Sequence, residues 1–395
     1  MYMIVSVLLT SSLLSVYGEF IIRYNVSDSL DNPKYSLLNA SRDDLILLFT
    51  GDTQFNFECV PTNTACKEAS ATVRAKHGLS LDCGMTKEAA NAANLSEYER
   101  KKYVKECLAV ESLYANRLTR DVMVRLIESM HSKPTALIIN GDLTSYGHLH
   151  ELESFQREWL HIPIRILPGL GNHDYENNVN DCVSNHCANR MLFWLVKYAE
   201  DNGLILDYRR NSVYFLKTTY TGSFAYSITL CSETGRTCAK VIQLQYRPNY
   251  ATKIEAPFTQ WMITNSFHWL KRELEYLRNS SMPIFINLHQ MDPVSQTKIK
   301  QLLKTLFENG GNVLPFRIFV LFAHIHHLHE LKNECAARTV PFIYVGSVPN
   351  NRFTAIKVPA DESLPAEVFL LSANGDKSAT ILKHIRPSHA PCLRP

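Results

Sequence analysis

Short apolar runs that end in oxygen- or imidazole-bearing residues recur along this chain. Leu45–Phe49 (LILLF), Ala136–Ile139, Ile164–Leu167, Ile284–Ile286 and Phe316–Phe322 are each almost continuously hydrophobic and bounded by Gly, Pro or Asn. Runs this short predict strands buried on both faces. Between them the period becomes helical. Leu118–Met130 carries Val122, Val124, Leu126, Ile127 and Met130, and similar patterns cover His148–Leu160, Ala188–Ala199, Trp261–Leu277 and Gln296–Phe307. Strands alternating with helices predict α/β layers around a largely buried sheet. Tyr208–Tyr250 alternates apolar and polar positions instead, with Gly222 and Thr234-Gly235 as turns, and predicts hairpins in a second sheet. Ala366–Ile385, centred on Asn374-Gly375, predicts another hairpin. Phe57–Ala115 interrupts the alternation with four cysteines and a polar, helix-like stretch, Thr86–Cys107. It reads as a disulfide-held insertion at the rim of the site that the strand ends would form.

The five strands lead into Gly51-Asp52-Thr53-Gln54, Gly141-Asp142, Gly171-Asn172-His173-Asp174, Asn287-Leu288-His289 and Ala323-His324-Ile325-His326. Ligands of open α/β sheets gather beyond the carboxyl ends of the strands. Asp52, Asp142, Asn172, His289 and His324 are therefore expected to meet at one edge. Alone, each has an ordinary reading: Gly-Asp as a helix cap, Asn172 as a turn residue, His289 as a core histidine. Five in succession point to a pair of divalent cations, which needs one bridging carboxylate and further ligands around an open position. Asp142 is the candidate bridge. Asp52, Gln54 and His326 would complete one ion, and Asn172, His289 and His324 the other. Two aspartates against two divalent ions leave a formal charge of about +2, which attracts a phosphate and acidifies a bound water. His173 is the candidate proton donor to the leaving oxygen, and Asp174 would orient it or cap the following turn. His148, His150, His327 and His329 read as structural or solvated, and Phe55, Phe57, Tyr175, Tyr246 and Tyr250 as core.

From Leu45 to Ser347 the order GDxQ, GDxxxxG, GNHD, His and AHxH resembles the calcineurin-like metallophosphoesterase superfamily, with GNHD intact at Gly171–Asp174 and GDxxxxG at Gly141–Gly147. The resemblance implies a central β-sandwich of mixed sheets flanked by helices, a four-layer α/β/β/α arrangement. It implies two divalent metal ions (Mn, Fe, Zn or Mg) and attack of metal-bound hydroxide on a phosphodiester, pyrophosphate or phosphomonoester. Gln54 stands where most members have His, as in a subgroup that includes manganese-dependent ADP-ribose/CDP-alcohol pyrophosphatases. An amide oxygen there favours Mn²⁺ or Mg²⁺ over Zn²⁺. Ala323 replaces Gly, which affects backbone clearance. Ser145 occupies the place of the tyrosine of purple acid phosphatases, so no tyrosinate–iron site is expected. The alternative is a secreted binding or effector protein on a decayed scaffold, motivated by Gln54 and Ala323.

Composition narrows the setting. The chain has 395 residues, a formal charge of +3 and 46% hydrophobic residues. That suits a globular protein and gives no electrostatic case for a nucleic-acid partner. Residues 1–18 read as a signal peptide, residues 19–44 as a lead-in, 45–350 as the phosphoesterase domain with the insertion 57–115, and 351–395 as a C-terminal hairpin and tail packed on it. No later segment reads as a transmembrane anchor. The ten cysteines include no CxxC pair and fit disulfides, with Cys182–Cys187, Cys231–Cys238 and Cys335–Cys392 as candidate bridges. Cys59, Cys66, Cys83 and Cys107 are expected to pair among themselves. Acceptor sequons at Asn25, Asn39, Asn94 and Asn279 agree with a secreted or lumenal glycoprotein. The expected substrate is a small-molecule or lipid-head-group phosphoester.

Overall fold

The computed structural model describes residues 21–23, 33–55, 64–78, 95–176, 182–213, 217–308, 317–387 and 392. The expected signal peptide, Cys59, Cys83 and the sequons at Asn25 and Asn94 lie outside these residues. The chain builds two mixed sheets. The first contains β1 (Ile22–Arg23), β2 (Leu45–Thr50), β3 (Ala136–Ile139) and β4 (Arg165–Pro168). The second contains β5 (Leu206–Val213), β6 (Lys217–Cys231), β7 (Cys238–Gln243), β8 (Thr252–Ala256), β9 (Thr259–Ile263), β10 (Ile284–Asn287), β11 (Ile318–Phe322), β12 (Leu331–Cys335) and β13 (Thr339–Tyr344). The chain then returns to the first sheet as β14 (Arg352–Val358), β15 (Glu367–Ala373) and β16 (Ala379–Ile385). The strand orders are β1-β16-β15-β14-β2-β3-β4 and β12-β13-β11-β10-β7-β6-β9-β8, with β5 also paired to β6.

The apolar runs form strands because both of their faces are covered. All six residues of β2 and all four of β3 are buried. The β2, β3 and β4 strands run parallel, in register from Leu47↔Ala136 and Ala136↔Arg165. In the second sheet β7, β10, β11 and β13 are likewise parallel neighbours. The sheets meet face to face, with Phe49 of β2 stacked on Phe285 of β10 and Phe285 on Phe319 of β11. Among the described residues the α-helices are α1 (Pro33–Leu38), α2 (Thr64–His77), α3 (Glu97–Ser129), α4 (Leu149–Trp159), α5 (Asn172–Tyr175), α6 (His186–Asp201), α7 (Phe267–Tyr276) and α8 (Pro293–Glu308). Val122 of α3, Phe155 and Trp159 of α4 and Leu195 of α6 join the core cluster of the first sheet. Leu270 and Leu274 of α7 and Ile299 and Leu303 of α8 cover Ile242, Ile284 and Ile286 of the second. The result is the expected α/β/β/α layering.

Three local expectations change. Of the helix-like stretch read at Thr86–Cys107, residues 86–94 lie outside the described residues, and Glu97–Cys107 opens α3, which runs without a break to Ser129 through most of the pattern read at Leu118–Met130. Its start is fixed by a capping box, with Ser96 Oγ accepting from the Glu99 amide and the Glu99 carboxylate accepting from the Ser96 amide. Trp261 lies in β9, where alternate residues are buried, and α7 begins only after Ser266. Gly222 is no turn; it lies inside β6, opposite Tyr208. Disulfides join Cys182–Cys187, Cys231–Cys238 and Cys335–Cys392. Cys107 is also disulfide-bonded. Among the described residues, no helix is long and apolar enough to cross a membrane.

Candidate functional site

The carboxyl ends of the parallel strands from both sheets converge, and they carry the expected residues with them. Asp52 follows β2, Asp142 follows β3, Asn172 follows β4, His289 follows β10 and His324 follows β11. The loops are tied to one another by their backbones. The Asp52 amide donates to Gly141 O at 3.0 Å, the Gln54 amide to Asp142 O at 2.8 Å, and the Ala323 amide to His289 O at 2.9 Å. Asp52, Asp142 and His324 all adopt left-handed backbone, with φ of 54°, 51° and 69°. Such strain costs about 1–3 kcal/mol per residue and persists where the surroundings over-determine it. Gly171 permits the closest approach, since a Cβ there would lie 2.1 Å from Asp142 Oδ1.

At the centre stands His289, fully buried. Its Nδ1–H donates to Asn140 O at 2.8 Å, which turns Nε2 toward the cluster. Within reach of Nε2 are Asn172 Oδ1 at 3.0 Å, His324 Nδ1 at 3.1 Å and Asp142 Oδ2 at 3.2 Å. Asp142 lies between two groups of residues. Its Oδ2 also accepts from Gln54 Nε2 at 2.9 Å, while Oδ1 accepts from the His173 amide at 3.0 Å. On the Gln54 side, Asp52 Oδ1 accepts from the His324 amide at 3.2 Å and lies 3.6 Å from His326 Nε2. Asp52 Oδ2 is buried and has no hydrogen-bond partner. All seven residues expected as ligands are thus in one place.

Solved structures offer distant likenesses. The chain resembles the crystal structure of TT1561 of Thermus thermophilus at 9% identity and a TM-score of 0.38, over 84% of this chain and 100% of that one. It also resembles Haemophilus influenzae NAD nucleotidase (NadN) at 9% identity and a TM-score of 0.31, over 86% of this chain and 54% of that one, about half its length. No curated protein matches. The family model of calcineurin-like phosphoesterases matches residues 114–328, a little over half of the chain. The chain belongs to the calcineurin-like phosphoesterase family. Members of this family act on phosphoesters and typically bind divalent metals.

The donor set of this calcineurin-like phosphoesterase fits such ions. Atoms that share an octahedral ion at about 2.1 Å stand about 3 Å apart, which is the spacing around His289 Nε2. Asp142, His289 and His324 offer ligand atoms that all lie within 4.8 Å of one another. In the bare protein, protons balance the cluster instead. Burial pushes the His289 imidazole down, but Asp142 and Asp52 outweigh it and lift its pKa to about 9. Burial lifts Asp52 to about 8 against the pull of His289. Asp142 resists the same burial because His289 and His173 hold it down to about 2. Burial and the neighbouring His289 depress His324 to about 4, leaving a free lone pair at neutral pH. Burial also lowers His326.

His173 is half-buried, and its Nδ1 donates to Ser145 O at 2.8 Å, which frees Nε2. The hydrogen bonds of Asp174 run neither to the His173 ring nor to the turn that follows it. Its carboxylate accepts from the amides of Leu143, Thr144 and Gly171 and from Thr144 Oγ1 at 2.8–3.1 Å, clamping the second and third motifs together. Burial and Asp142 raise its pKa to about 6. His329 sits under β14, bonded to Thr354 Oγ1, and burial pushes it to about 3. His148 lies near Cys182 and Cys187, but that pair is a disulfide and offers no thiolate.

Sequence reasoning passed over three supporting residues. Asn140 is fully buried, and its carbonyl fixes the His289 tautomer. Gln245 accepts from the Leu170 amide at 2.7 Å with its side chain and from the His289 amide at 2.8 Å with its carbonyl, linking two motif loops. Asn116 of α3 donates to Thr53 O at 2.8 Å. Polar residues at Gln243 and Gln245 in the otherwise apolar VIQLQY were the available signal. Beside the cluster, a cavity of about 340 Å³ runs from Gln54 and His326 along α3 to Glu111 and Leu108. Leu108, Glu111, Ser112 and Ala115, within the stretch read as an insertion, line this cavity.

Proposed function

We propose that this chain is a secreted phosphoester hydrolase that works with two divalent cations. The observation that carries the reading is the convergence of lone pairs around His289 Nε2, beside an Asp52 oxygen buried with no partner. Asp52, Gln54 and His326 would hold one ion, Asn172, His289 and His324 the other, with Asp142 between them. When bound, the ions would supply positive charge for the phosphoryl oxygens and a water acidified toward neutrality. The protein's own part is to hold and move protons and to fix its ligands. Asn140 and Asn172 face opposite edges of the His289 ring, and Asp174 locks the loops bearing Asp142 and Asn172. With Nδ1 engaged by Ser145, a proton on His173 Nε2 is available to the departing oxygen. Gln54, through its bond to Asp142 Oδ2, also positions the carboxylate it sits beside.

Turnover of an activated phosphodiester and an activated phosphomonoester should require added Mn²⁺, Mg²⁺, Zn²⁺ or Fe²⁺, and Asp142→Asn should abolish it. Turnover that survives Asp142→Asn would count against the assignment. The disulfides support export, and the acceptor residues Asn39 and Asn279 are exposed. N-terminal sequencing of protein recovered from culture medium should read from Glu19. A protein that stays in the cytosol with its N-terminus intact would contradict that.

A further inference from the structure

We propose that the cavity along α3 receives a cationic ester arm, so that the substrate is a phosphoester of an amino alcohol or quaternary ammonium alcohol, selected by Glu111. The inference rests on the phosphoesterase reading of the adjoining site. Leu108, Glu111, Ser112, Ala115 and Asn116 recur at helical spacing and present one face of α3 to the cavity. Most of the polar atoms on this wall are already engaged. Ser112 Oγ and Ser145 Oγ donate to Gln54 O at 3.2 and 3.3 Å, and Asn116 bonds Thr53 O and the Trp159 indole. Glu111 is exposed and makes no ion pair or hydrogen bond among the described residues, and partial burial raises the pKa of its carboxyl.

The charge pattern then discriminates between ester arms. No described Lys or Arg lines the cavity, and Leu108, Ala115 and Pro349 give it apolar sides. A carboxylate with methyl-lined flanks suits an ammonium group and its alkyl substituents. A second phosphate or a nucleotide diphosphate would place an anion against Glu111 with no Lys or Arg among the described lining residues to balance it. The cavity is also joined to the proposed proton donor, because Ser145 lines it and its carbonyl holds His173 Nδ1.

The test uses two chromogenic diesters on the full, metal-loaded chain: p-nitrophenyl phosphorylcholine and its uncharged carbon isostere, p-nitrophenyl 3,3-dimethylbutyl phosphate. The kcat/KM ratio should favour the cationic ester about tenfold, equivalent to about 1.4 kcal/mol. It should fall to about one in Glu111→Gln and invert in Glu111→Lys. A ratio near one in the wild type, or a preference untouched by both variants, overturns the proposal. Calorimetric titration with phosphocholine and 3,3-dimethylbutyl phosphate reads the same preference without turnover. If neither diester is hydrolysed but phosphocholine binds preferentially and Glu111→Gln removes the preference, the pocket stands and the hydrolase reading falls. If neither phosphate binds, or both bind equally, the pocket assignment falls.

Discussion

Gly51→Ala should disable the site through a single contact. A Cβ at Gly51 would lie 2.4 Å from the Cβ of Ala323, whereas non-bonded carbons rest about 3.5–4.0 Å apart. The missing ångström must come from backbone, because neither group has a side chain that can rotate away. Gly51 immediately precedes Asp52 and Ala323 immediately precedes His324, and these two residues are joined by the His324 amide on Asp52 Oδ1. Overpacking on this scale costs about 1–3 kcal/mol in stability. A shift of about 1 Å in positioned catalytic groups costs on the order of 10²-fold in rate. Ala323→Gly removes the other half of the contact, and by itself should cost only about 0.5–1 kcal/mol through added chain freedom. The double variant should therefore recover most of the melting temperature and the turnover lost in Gly51→Ala, a coupling of about 1–3 kcal/mol. Thermal melts and kcat/KM on one chromogenic phosphoester, measured across all four proteins, give the cycle. Additive losses in the double variant would refute the steric argument.

The site and its supports lead to further expected outcomes. His173→Ala should slow alkyl esters by about 10²–10⁴-fold and p-nitrophenyl esters much less, with metal content unchanged; equal losses on both would remove His173 as proton donor. Because His289 and Asp52 titrate at about 9 and about 8 without metal, Mn²⁺ binding at pH 7 should expel up to about two protons and weaken as pH falls. Calorimetry in buffers of different ionisation enthalpy measures this, and release of no protons would contradict it. Away from the site, Glu367 is clamped by Lys357, His384 and Ser36, which hold its carboxyl far below the usual range despite burial. Its contribution is present above the unfolded value of about 4.3 and is lost as pH falls below it. Glu367→Gln should lower the melting point at pH 7, with the gap to wild type closing in acid.

The site was legible because each ligand directly follows a run whose period and burial are unambiguous. Ala136–Ile139 became β3 at the expected residues, and Asp142 lies just beyond it. Less legible was anything decided by a distant partner. The helical pattern at Trp261–Leu277 takes in Trp261, but its ring packs against Tyr220 of the neighbouring β6. The start of α3 depended on a Ser96–Glu99 cap inside a polar stretch with no periodicity to mark it. Asp174 looked like a partner for His173 by adjacency alone. The amides it accepts come from Leu143 and Thr144, across the junction of two parallel strands, and only their pairing brings those donors close. Asn140 acts through its main-chain carbonyl, which carries no signature in side-chain chemistry.

Metal stoichiometry tests the central claim most directly. Protein prepared through an oxidising secretory route, loaded with Mn²⁺ and freed of excess metal, should retain two ions per chain by elemental analysis. Asp142→Asn should lose both, since Asp142 lies between the two ligand groups, whereas His326→Ala should retain one. A wild-type chain that binds no metal and shows no turnover with Mn²⁺, Mg²⁺, Zn²⁺ or Fe²⁺ would contradict the account and leave a binding protein on a phosphoesterase scaffold.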